Sequence, residues 1–303
     1  MMNVRQLARN LIAAGLLSLG LVAHAADLPG NGVKVHPLQT STAEETFQTM
    51  LVSRAMQKLG FDVQPIQEVD YPAAHIAIAN GDATFMANHW DPLHVDFYNN
   101  AGADKLVKLG SYVSNAAQGY LTDKKTADKH NITRIDQPQD PKLAKLFDTD
   151  GDGKANLTGC TPGWGCEAVL EHQFTAFKLR DTVTHMQGSY PALIANTLVR
   201  FKEGQPILYY TWTPYWLSGV LRPGQEVTWL EVPFSSLPGE QAKFDTQLPN
   251  DKNYGFPLNT HRIVATKAFV EKYPAAGKLF EVMALPIADV NAQNQQALTA
   301  ANR

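Results

Sequence analysis

Two stretches of the sequence, YPAAHIAIANGDATFMANHWDP at residues 71–92 and YPALIANTLVRFKEGQPILYYTWTP at residues 190–214, follow one pattern. Each begins with a helical segment, stops at a glycine, and continues as an apolar strand that runs into Trp-x-Pro. Ligands of open α/β folds bind at the carboxyl ends of the strands. We therefore expect Trp90 and Trp212, which follow matching strands on the two half-chains, to face each other across a cleft.

The segment before the first stretch predicts a β-α-β unit. Residues 33–35 and 61–63 each alternate in the manner of a strand. Between them, S-T-A-E-E at residues 41–45 forms two overlapping capping boxes, and Gly60 ends the helix that these boxes begin. Such units are typical of a parallel sheet with helices on its faces.

Beyond the second stretch, residues 261–265 predict a further strand and residues 269–283 predict a helix that Pro274 interrupts. No low-complexity segment or long linker separates the parts of the chain. We expect an α/β fold of two lobes joined by crossing strands, each lobe a mostly parallel sheet flanked by helices, with the ligand cleft between the lobes.

The first 25 residues have the pattern of a signal peptide. Arg5 and Arg9 precede an apolar run at residues 11–22, and Ala-His-Ala at residues 23–25 is a small-x-small cleavage site. The run is short for a membrane span, although an uncleaved anchor remains an alternative. We expect the mature chain to begin near Ala26, in the periplasm.

The composition excludes several classes of function. The formal charge is −3 and no block of lysine or arginine is present, which argues against nucleic acid and anionic membranes as partners. The sequence contains no nucleophile elbow, phosphate loop or dinucleotide fingerprint. We therefore expect a protein that is not an enzyme, has no catalytic residues and needs no cofactor.

The segment Cys160-Thr-Pro-Gly-Trp164-Gly-Cys166 is a candidate binding element. In an oxidising compartment the two cysteines are expected to form a disulfide, with a metal pair or a redox pair as alternatives. The disulfide would hold Trp164 on a rigid turn. A helix predicted over residues 167–177 follows, so the amides of Gly165 and Cys166 lie at its N-terminus, where they suit a carboxylate.

An aromatic face beside an anion site suits a zwitterion with a methylated ammonium group and a carboxylate. A quaternary ammonium group has no N–H to donate, but aromatic faces attract it through cation–π interactions. Trp90, Trp164 and Trp212 each lie in a Gly/Pro turn at the end of an element, where a large ring is poorly buried. Trp216 and Trp229 lack that context and are assigned to packing.

His94 follows Trp90 by four residues and could donate a hydrogen bond to the same carboxylate. The alternative is an ordinary histidine on a helix surface. His89, Asp91, His94 and Asp96 can also be interpreted as a metal cluster, but their spacing matches no zinc pattern.

The segment from Asp148 to Asn156 is similar to the first half of a calcium-binding loop. Asp148, Asp150 and Asp152 occupy positions 1, 3 and 5, and a glycine occupies position 6. Position 12 is Gly159, so the usual bidentate acid is missing. The candidate structural calcium site consists of Asp148, Asp150, Asp152 and Asn156; the alternative is a turn rich in aspartate and glycine.

Several longer motifs resemble one known family, the periplasmic glycine betaine-binding proteins of the proline/glycine betaine ABC importers. The resemblance runs from about residue 26 to about residue 294. Its motifs are Ala-Asp-Leu-Pro-Gly at 26–30, Glu-Glu-Thr-Phe-Gln-Thr at 44–49, Gly-Asp-Ala-Thr-Phe at 81–85, Trp-x-Pro-Leu-His at 90–94, Ala-Ala-Gln-Gly-Tyr-Leu at 116–121, Leu-Thr-Gly-Cys-x-Pro-Gly-Trp-Gly-Cys-Glu at 157–167 and Tyr-Tyr-Thr-Trp-Thr-Pro-Tyr-Trp at 209–216.

The resemblance implies a two-lobed type II binding protein. After the signal peptide (1–25), lobe 1 would comprise residues 26–116 and 235–303, and lobe 2 would comprise residues 117–234. Members of the family usually continue beyond residues 291–294 with a further helical tail that belongs to lobe 1. We expect the shorter tail of this chain to spare binding, and to weaken stability, lobe closure or docking to the transporter.

Carried over residue by residue, the resemblance also implies roles in ligand binding. Trp90, Trp164 and Trp212 would form the ammonium box, and His94 with the amides of Gly165 and Cys166 would form the carboxylate site. Cys160 and Cys166 match the disulfide of the family.

We therefore expect a monomer that binds glycine betaine, or related betaines such as proline betaine. It would deliver the ligand to the permease and ATPase of an ABC importer for osmoprotection. The rival ligands are choline and carnitine. Rivals of other classes are a secreted hydrolase or lyase and a calcium-stabilised adhesion protein.

Overall fold

A computed structural model of the protein describes residues 28–301, so the predicted signal peptide lies outside the described residues. Within that range no helix combines the length and apolar character that crossing a bilayer requires. The strands of this part of the chain are β1 (Lys34–Val35), β2 (Pro37–Gln39), β3 (Asp62–Val63), β4 (Gln67–Glu68), β5 (Phe85–Asp91), β6 (Leu106–Ala116), β7 (Gln118–Asp123), β8 (Ala155–Thr158), β9 (Val183–Met186), β10 (Leu208–Trp212), β11 (Val227–Leu230) and β12 (Asn259–Thr266).

Helices cover both of the larger sheets. They are α1 (Ala43–Lys58), α2 (Tyr71–Asn80), α3 (Val95–Asn100), α4 (Lys124–His130), α5 (Pro141–Ala144), α6 (Gly165–Ala176), α7 (Tyr190–Lys202), α8 (Lys267–Lys272), α9 (Pro274–Val282) and α10 (Ile287–Ala301). Short 3₁₀ segments occupy Gln137–Gln139, Lys145–Phe147, Trp216–Gly219 and Gly239–Lys243.

Two five-stranded sheets organise the fold. Sheet I has the order β4-β2-β5-β12-β6 and sheet II has the order β11-β7-β10-β8-β9, while β1 and β3 form a small parallel pair. The expected α/β class is confirmed, but the expectation of mostly parallel sheets is wrong. Each sheet has two parallel and two antiparallel pairings.

The antiparallel pairings arise where the chain passes between the sheets. β6 of sheet I is followed almost directly by β7 of sheet II, and β12 returns to sheet I between β5 and β6. A strand that enters a sheet in this way needs no crossover helix, and it pairs antiparallel with its neighbours. The proposed lobe boundaries near residues 116 and 234 remain a prediction; sheet I takes strands from residues 37–116 and 259–266, and sheet II from residues 118–230.

The two repeated stretches fold as their pattern predicts. α2 ends before Gly81, whose φ of 82° is the left-handed conformation that favours glycine at a helix end. α7 spans Tyr190–Lys202, and the strands β5 and β10 follow the two helices. Trp90 lies within β5 and Trp212 is the last residue of β10. The X-Pro bond within each Trp-x-Pro motif is cis.

The start of α1 differs from its prediction. Thr42 is the N-cap residue, but its side chain makes no capping hydrogen bond. The carboxylate of Glu45 reaches instead to Thr40, accepting hydrogen bonds from its N–H at 3.1 Å and its hydroxyl at 2.9 Å. The capping-box prediction fails because Glu45 also binds the hydroxyl of Tyr71 on α2, a tertiary partner that the local sequence does not reveal.

The hydrophobic core is continuous across the two sheets. Its larger cluster contains Leu38 and Met86 from sheet I, Leu157 and Tyr209 from sheet II, and the indole of Trp90. A second cluster lies between sheet I and the helices α1 and α9. The sheets therefore close on each other at the ends of their central strands, where the tryptophan motifs lie.

Candidate functional site

One cavity lies where the carboxyl ends of β5 and β10 meet. Its sheet I wall consists of Thr42, Glu44, Glu45, Gln48, Tyr71, Trp90, Leu93, His94 and His261. Its other wall consists of Gln118, Trp164, Gly165, Cys166, Tyr210, Trp212 and Pro214.

The three tryptophans predicted to form a box all line this cavity. The rings of Trp164 and Trp212 lie 5.6 Å apart, nearly perpendicular. Contrary to the expectation of poorly buried rings, Trp90, Trp164 and Trp212 are only 6%, 9% and 7% exposed. Trp90 and Trp212 pack against rings of their own wall, and Trp164 lies 6.5 Å from the ring of Tyr71 on the opposite wall.

Different neighbours hold the indoles in place. Trp212 packs between Tyr190 and Tyr215, with ring centroids 4.5 Å and 4.6 Å away. Trp90 pairs across the strands with His261 of β12, and the two ring centroids are 4.1 Å apart. Edge and face contacts of this kind fix the orientation of a ring. Neighbouring rings therefore fix the orientation of Trp90 and Trp212.

The other two tryptophans examined from the sequence are not among the residues that line this cavity. Trp216 packs against Tyr215 at 5.3 Å, and Trp229 packs against Tyr254 at 5.4 Å. Trp216 also borders a second, wider cavity between α1 and α10.

The turn that carries Trp164 is held by a disulfide between Cys160 and Cys166, which the sequence predicted. Trp164 is the N-cap residue of α6, and Gly165 and Cys166 are the first two residues of that helix. Because N–H groups in a first helical turn have no carbonyl partner within the helix, these amides are suited to an anion. The sequence-based placement of both amides at a helix start is therefore correct, although α6 begins two residues earlier than predicted.

A further contact that the sequence did not reveal supports this turn. The N–H of Cys160 donates to Nε2 of His185 at 3.0 Å, and Nδ1 of His185 lies 2.7 Å from the carboxylate of Glu171. A Cβ on Gly159 would lie 1.9 Å from the same imidazole. The glycine therefore allows His185 to approach the backbone beside the disulfide.

His94 lies at the junction of the two walls and is only 1% exposed. Its Nδ1 accepts a hydrogen bond from the N–H of Trp90 at 3.2 Å, which leaves the proton of a neutral ring on Nε2. A Cβ on Gly165 would lie 3.1 Å from Cδ2 of His94, so the start of α6 lies against this imidazole. The alternative of a surface histidine is wrong.

The metal cluster considered from the sequence does not assemble. Asp91 forms ion pairs with Lys108 at 2.9 Å and Arg262 at 2.7 Å, and Asp96 accepts a hydrogen bond from the N–H of Glu240.

His89 and His94 instead lie beside a third histidine, His75, with ring nitrogens of the three within 4.8 Å of one another. His75 bonds to the carbonyl of Tyr71 at 2.6 Å and to Nδ1 of His89 at 2.8 Å. Both nitrogens of His75 are therefore engaged in hydrogen bonds within the protein.

Burial sets the charges around the cavity. It lowers the pKa of His94 well below its usual range and lowers the pKa of His261 to about 3, so both rings are neutral near pH 7. Burial also raises the pKa of Glu45 to about 7, although hydrogen bonds from Tyr71 and Thr40 oppose the shift. The carboxyl group of Glu45 therefore changes its charge near neutral pH.

Sequence reasoning missed several polar or aromatic residues of the cavity wall, among them Glu45, Tyr71, Gln118, Tyr210 and His261. Glu45, Gln118 and Tyr210 lie inside the motifs that carry the family resemblance, and this was the available signal. Tyr71 and His261 lie outside those motifs.

The aspartate-rich loop lies apart from this cavity. The carboxylates of Asp148, Asp150 and Asp152 offer oxygens within 4.8 Å of one another. The amide oxygen of Asn156 accepts hydrogen bonds from the N–H of Thr149 at 2.7 Å and from its hydroxyl at 2.9 Å. Three of the expected ligands therefore lie close together, but all four already make hydrogen bonds within the loop, and the calcium site stays a prediction.

Residues 34–300 match the family model of the substrate binding domain of ABC-type glycine betaine transport systems. A glycine betaine-binding periplasmic protein of Dickeya dadantii is 61% identical over 280 residues, which is 92% of this chain and 84% of that protein. A glycine betaine/proline betaine-binding periplasmic protein of Salmonella typhimurium is 62% identical over 273 residues, which is 90% and 82% of the two chains.

A more distant likeness extends to the fold. A crystal structure of a glycine betaine/L-proline-binding protein of an ABC transporter from Borrelia burgdorferi has a TM-score of 0.70 and 15% identity, and the match covers 88% of each chain. The two mixed sheets of this chain therefore have the architecture of type II solute-binding proteins.

Proposed function

Because the chain belongs to the family of substrate binding domains of ABC-type glycine betaine transport systems, we propose that it binds glycine betaine in the cavity between sheets I and II. Related betaines such as proline betaine have the same two chemical groups and fit the same site. The observation that carries the proposal is the convergence of three indoles from both sheets on one cavity, beside His94 and the start of α6.

The cationic end of the ligand would lie among Trp90, Trp164 and Trp212. A trimethylammonium group has a diffuse charge and no N–H, so aromatic faces attract it without hydrogen bonds, at about 0.5–2 kcal/mol per ring. The indoles are already oriented by their neighbours, which limits the entropy lost on binding. In this proposal the permanent cation of the ligand explains why this part of the site consists of indole rings.

The carboxylate of the ligand would lie at the other end of the cavity. Nε2–H of His94 and the amides of Gly165 and Cys166 are neutral donors that approach one another across the two walls. Hydrogen bonds to a charged group contribute about 1.5–3 kcal/mol each. Binding at this end requires contacts from both sheets, so the ligand would favour the closed arrangement of the two walls.

We infer that the two sheets belong to two lobes, with boundaries near residues 116 and 235, and that closure around the ligand creates the surface a permease recognises. The curated relatives are periplasmic proteins, and the signal-peptide pattern of residues 1–25 supports the same location for this chain. In this proposal a permease with a partner ATPase imports the ligand, and the binding protein acts as a monomer without altering it.

Isothermal titration with glycine betaine, proline betaine, choline and proline tests the proposal. We expect micromolar or tighter binding of the two betaines, about −8 kcal/mol or better. Choline lacks the carboxylate and should bind more weakly. Equal or tighter binding of choline would favour the rival choline-binding function, and absence of betaine binding would refute the proposal.

A further inference from the structure

Glu45 is a buried acid in the wall of the ligand cavity. Its side chain is 5% exposed, and its two carboxylate oxygens bind the hydroxyl of Tyr71 and both the N–H and the hydroxyl of Thr40. These partners hold the carboxylate in one position, between the end of β2 and the start of α2. The position is therefore set by three elements of the fold.

No cationic side chain accompanies this acid in the cavity. Among the residues of the described chain that line it, none is lysine or arginine. A buried carboxylate without a cationic partner is costly, because it has lost water without gaining an opposite charge. Its electrostatic potential is therefore available to a positively charged ligand in the same cavity.

We propose that Glu45 selects ligands by the positive charge of the headgroup, whereas the three indoles select mainly by its shape. The inference rests on the proposed function and adds a residue to it. A trimethylammonium group and a tert-butyl group have nearly the same size and bury the same methyl groups. A carboxylate distinguishes them by Coulomb attraction, which is strong in a cavity of low dielectric constant.

The other titratable groups near Glu45 do not explain such a preference. Burial lowers the pKa of each neighbouring histidine, to about 4 for His75 and about 3 for His261, and raises the pKa of each neighbouring tyrosine. These histidines and tyrosines are therefore neutral near pH 7. They are Tyr71 and His75 on α2, His89 and His94 at the end of β5, Tyr210 on β10 and His261 on β12. The remaining titratable group is Glu44 on α1, which also lines the cavity.

The proposal has a definite dependence on pH. Burial raises the pKa of Glu45 to about 7, so the group is mainly uncharged below that pH and a carboxylate above it. The preference for a charged over an uncharged headgroup should therefore grow as the pH rises through 7. Burial also raises the pKa of Glu44, so this neighbouring acid needs a separate control.

The test compares glycine betaine with 3,3-dimethylbutanoate, which has carbon in place of the nitrogen and the same carboxylate. Because both ligands are carboxylates at about pH 6 and above, effects at that end of the cavity largely cancel in the ratio of the two dissociation constants. Competition titrations at about pH 6 and about pH 8.5 bracket the titration of Glu45. We expect the preference for glycine betaine to increase at least about tenfold from the lower to the higher pH.

Glu45→Gln keeps the size of the side chain and removes the charge. We expect this variant to lose the increase with pH and to discriminate less at the higher pH, while Glu44→Gln retains the increase. Choline provides a second measurement, because its affinity alone should rise with pH in the wild-type protein and stay level in Glu45→Gln. Thermal unfolding checks that both variants are folded.

The outcomes separate this inference from the proposed function. If glycine betaine binds but Glu45→Gln changes neither the ratio nor the choline profile, Glu45 is a structural residue and the inference is wrong. If the wild-type protein binds no betaine at all, the proposed function fails and the inference fails with it.

Discussion

The walls around Trp90 and Trp212 come from the same sequence pattern, yet they have different surroundings. In both, a helix, a glycine and a strand lead to Trp-x-Pro, and an antiparallel crossing strand places a polar residue opposite the indole: His261 opposite Trp90, and Gln118 opposite Trp212. Beyond that pair the walls diverge. Trp90 packs against His261 and its N–H donates to His94, whereas Trp212 packs between Tyr190 and Tyr215.

This difference suggests a division of labour between the walls. The sheet I wall contains the groups that bear or exchange protons, including His94 and Glu45, so it is suited to distinguishing ligands by their charge. The sheet II wall contains stacked rings and a disulfide-bound turn, so it is suited to holding a fixed shape. The following experiments test whether each wall performs its part.

Removal of one indole from each wall should have unequal effects. Trp212→Ala leaves a space among Tyr190, Tyr215 and Trp164, so we expect it to weaken glycine betaine binding by about 3 kcal/mol. Trp90→Ala should cost less, about 1–2 kcal/mol. Calorimetric titration measures both, with Trp229→Phe as a control because Trp229 does not line the cavity. Equal binding by wild-type protein and Trp212→Ala would contradict the proposed cage.

The covalent constraint on the sheet II wall should be visible as stability. Cys160→Ser combined with Cys166→Ser releases a short loop, and the chain-entropy relation predicts a loss of about 2.3 kcal/mol in the free energy of unfolding. Denaturant unfolding of the oxidised wild-type protein and the double variant measures the loss. Superimposable unfolding curves would show that the disulfide does not hold this wall.

His94, in the sheet I wall, should affect only ligands that carry a carboxylate. His94→Ala removes the Nε2–H donor, so the affinity for glycine betaine should fall by about 1.5–2 kcal/mol. Choline affinity should change little because choline has no carboxylate to accept that hydrogen bond. Titration of both ligands provides the comparison, and a parallel loss for both would place the role of His94 in packing.

The aspartate-rich loop of sheet II should contribute least. An incomplete loop that binds calcium with a millimolar constant would add about 0.4 kcal/mol of stability at about 1 mM calcium. Thermal unfolding with calcium and with a chelator measures this effect, and Asp150→Asn should abolish it. If neither calcium nor the chelator changes the unfolding temperature of the wild-type protein, the loop does not bind calcium. Ligand affinity should be unchanged in either case.

The sequence predicted most of the local structure and the aromatic part of the site. Helix and strand periodicity gave the bounds of α7 and the interruption between α8 and α9, since these depend on neighbours a few residues apart. Short motifs identified Trp90, Trp164, Trp212 and the cysteine pair. The prediction of capping boxes failed because it considered only near neighbours in the sequence. The partner of Glu45 on α2 lies 26 residues away along the chain.

The sequence alone predicted the indoles, the histidine and the helix start that line the cavity, because these features can be recognised from residue type and spacing. Only the tertiary structure decided that His94 is buried with its proton on Nε2, and that Glu45 lies in the cavity without a cationic partner. It also decided that the crossing strands make each sheet mixed. These properties depend on contacts between segments distant in sequence, which set burial, hydrogen bonding and pKa together.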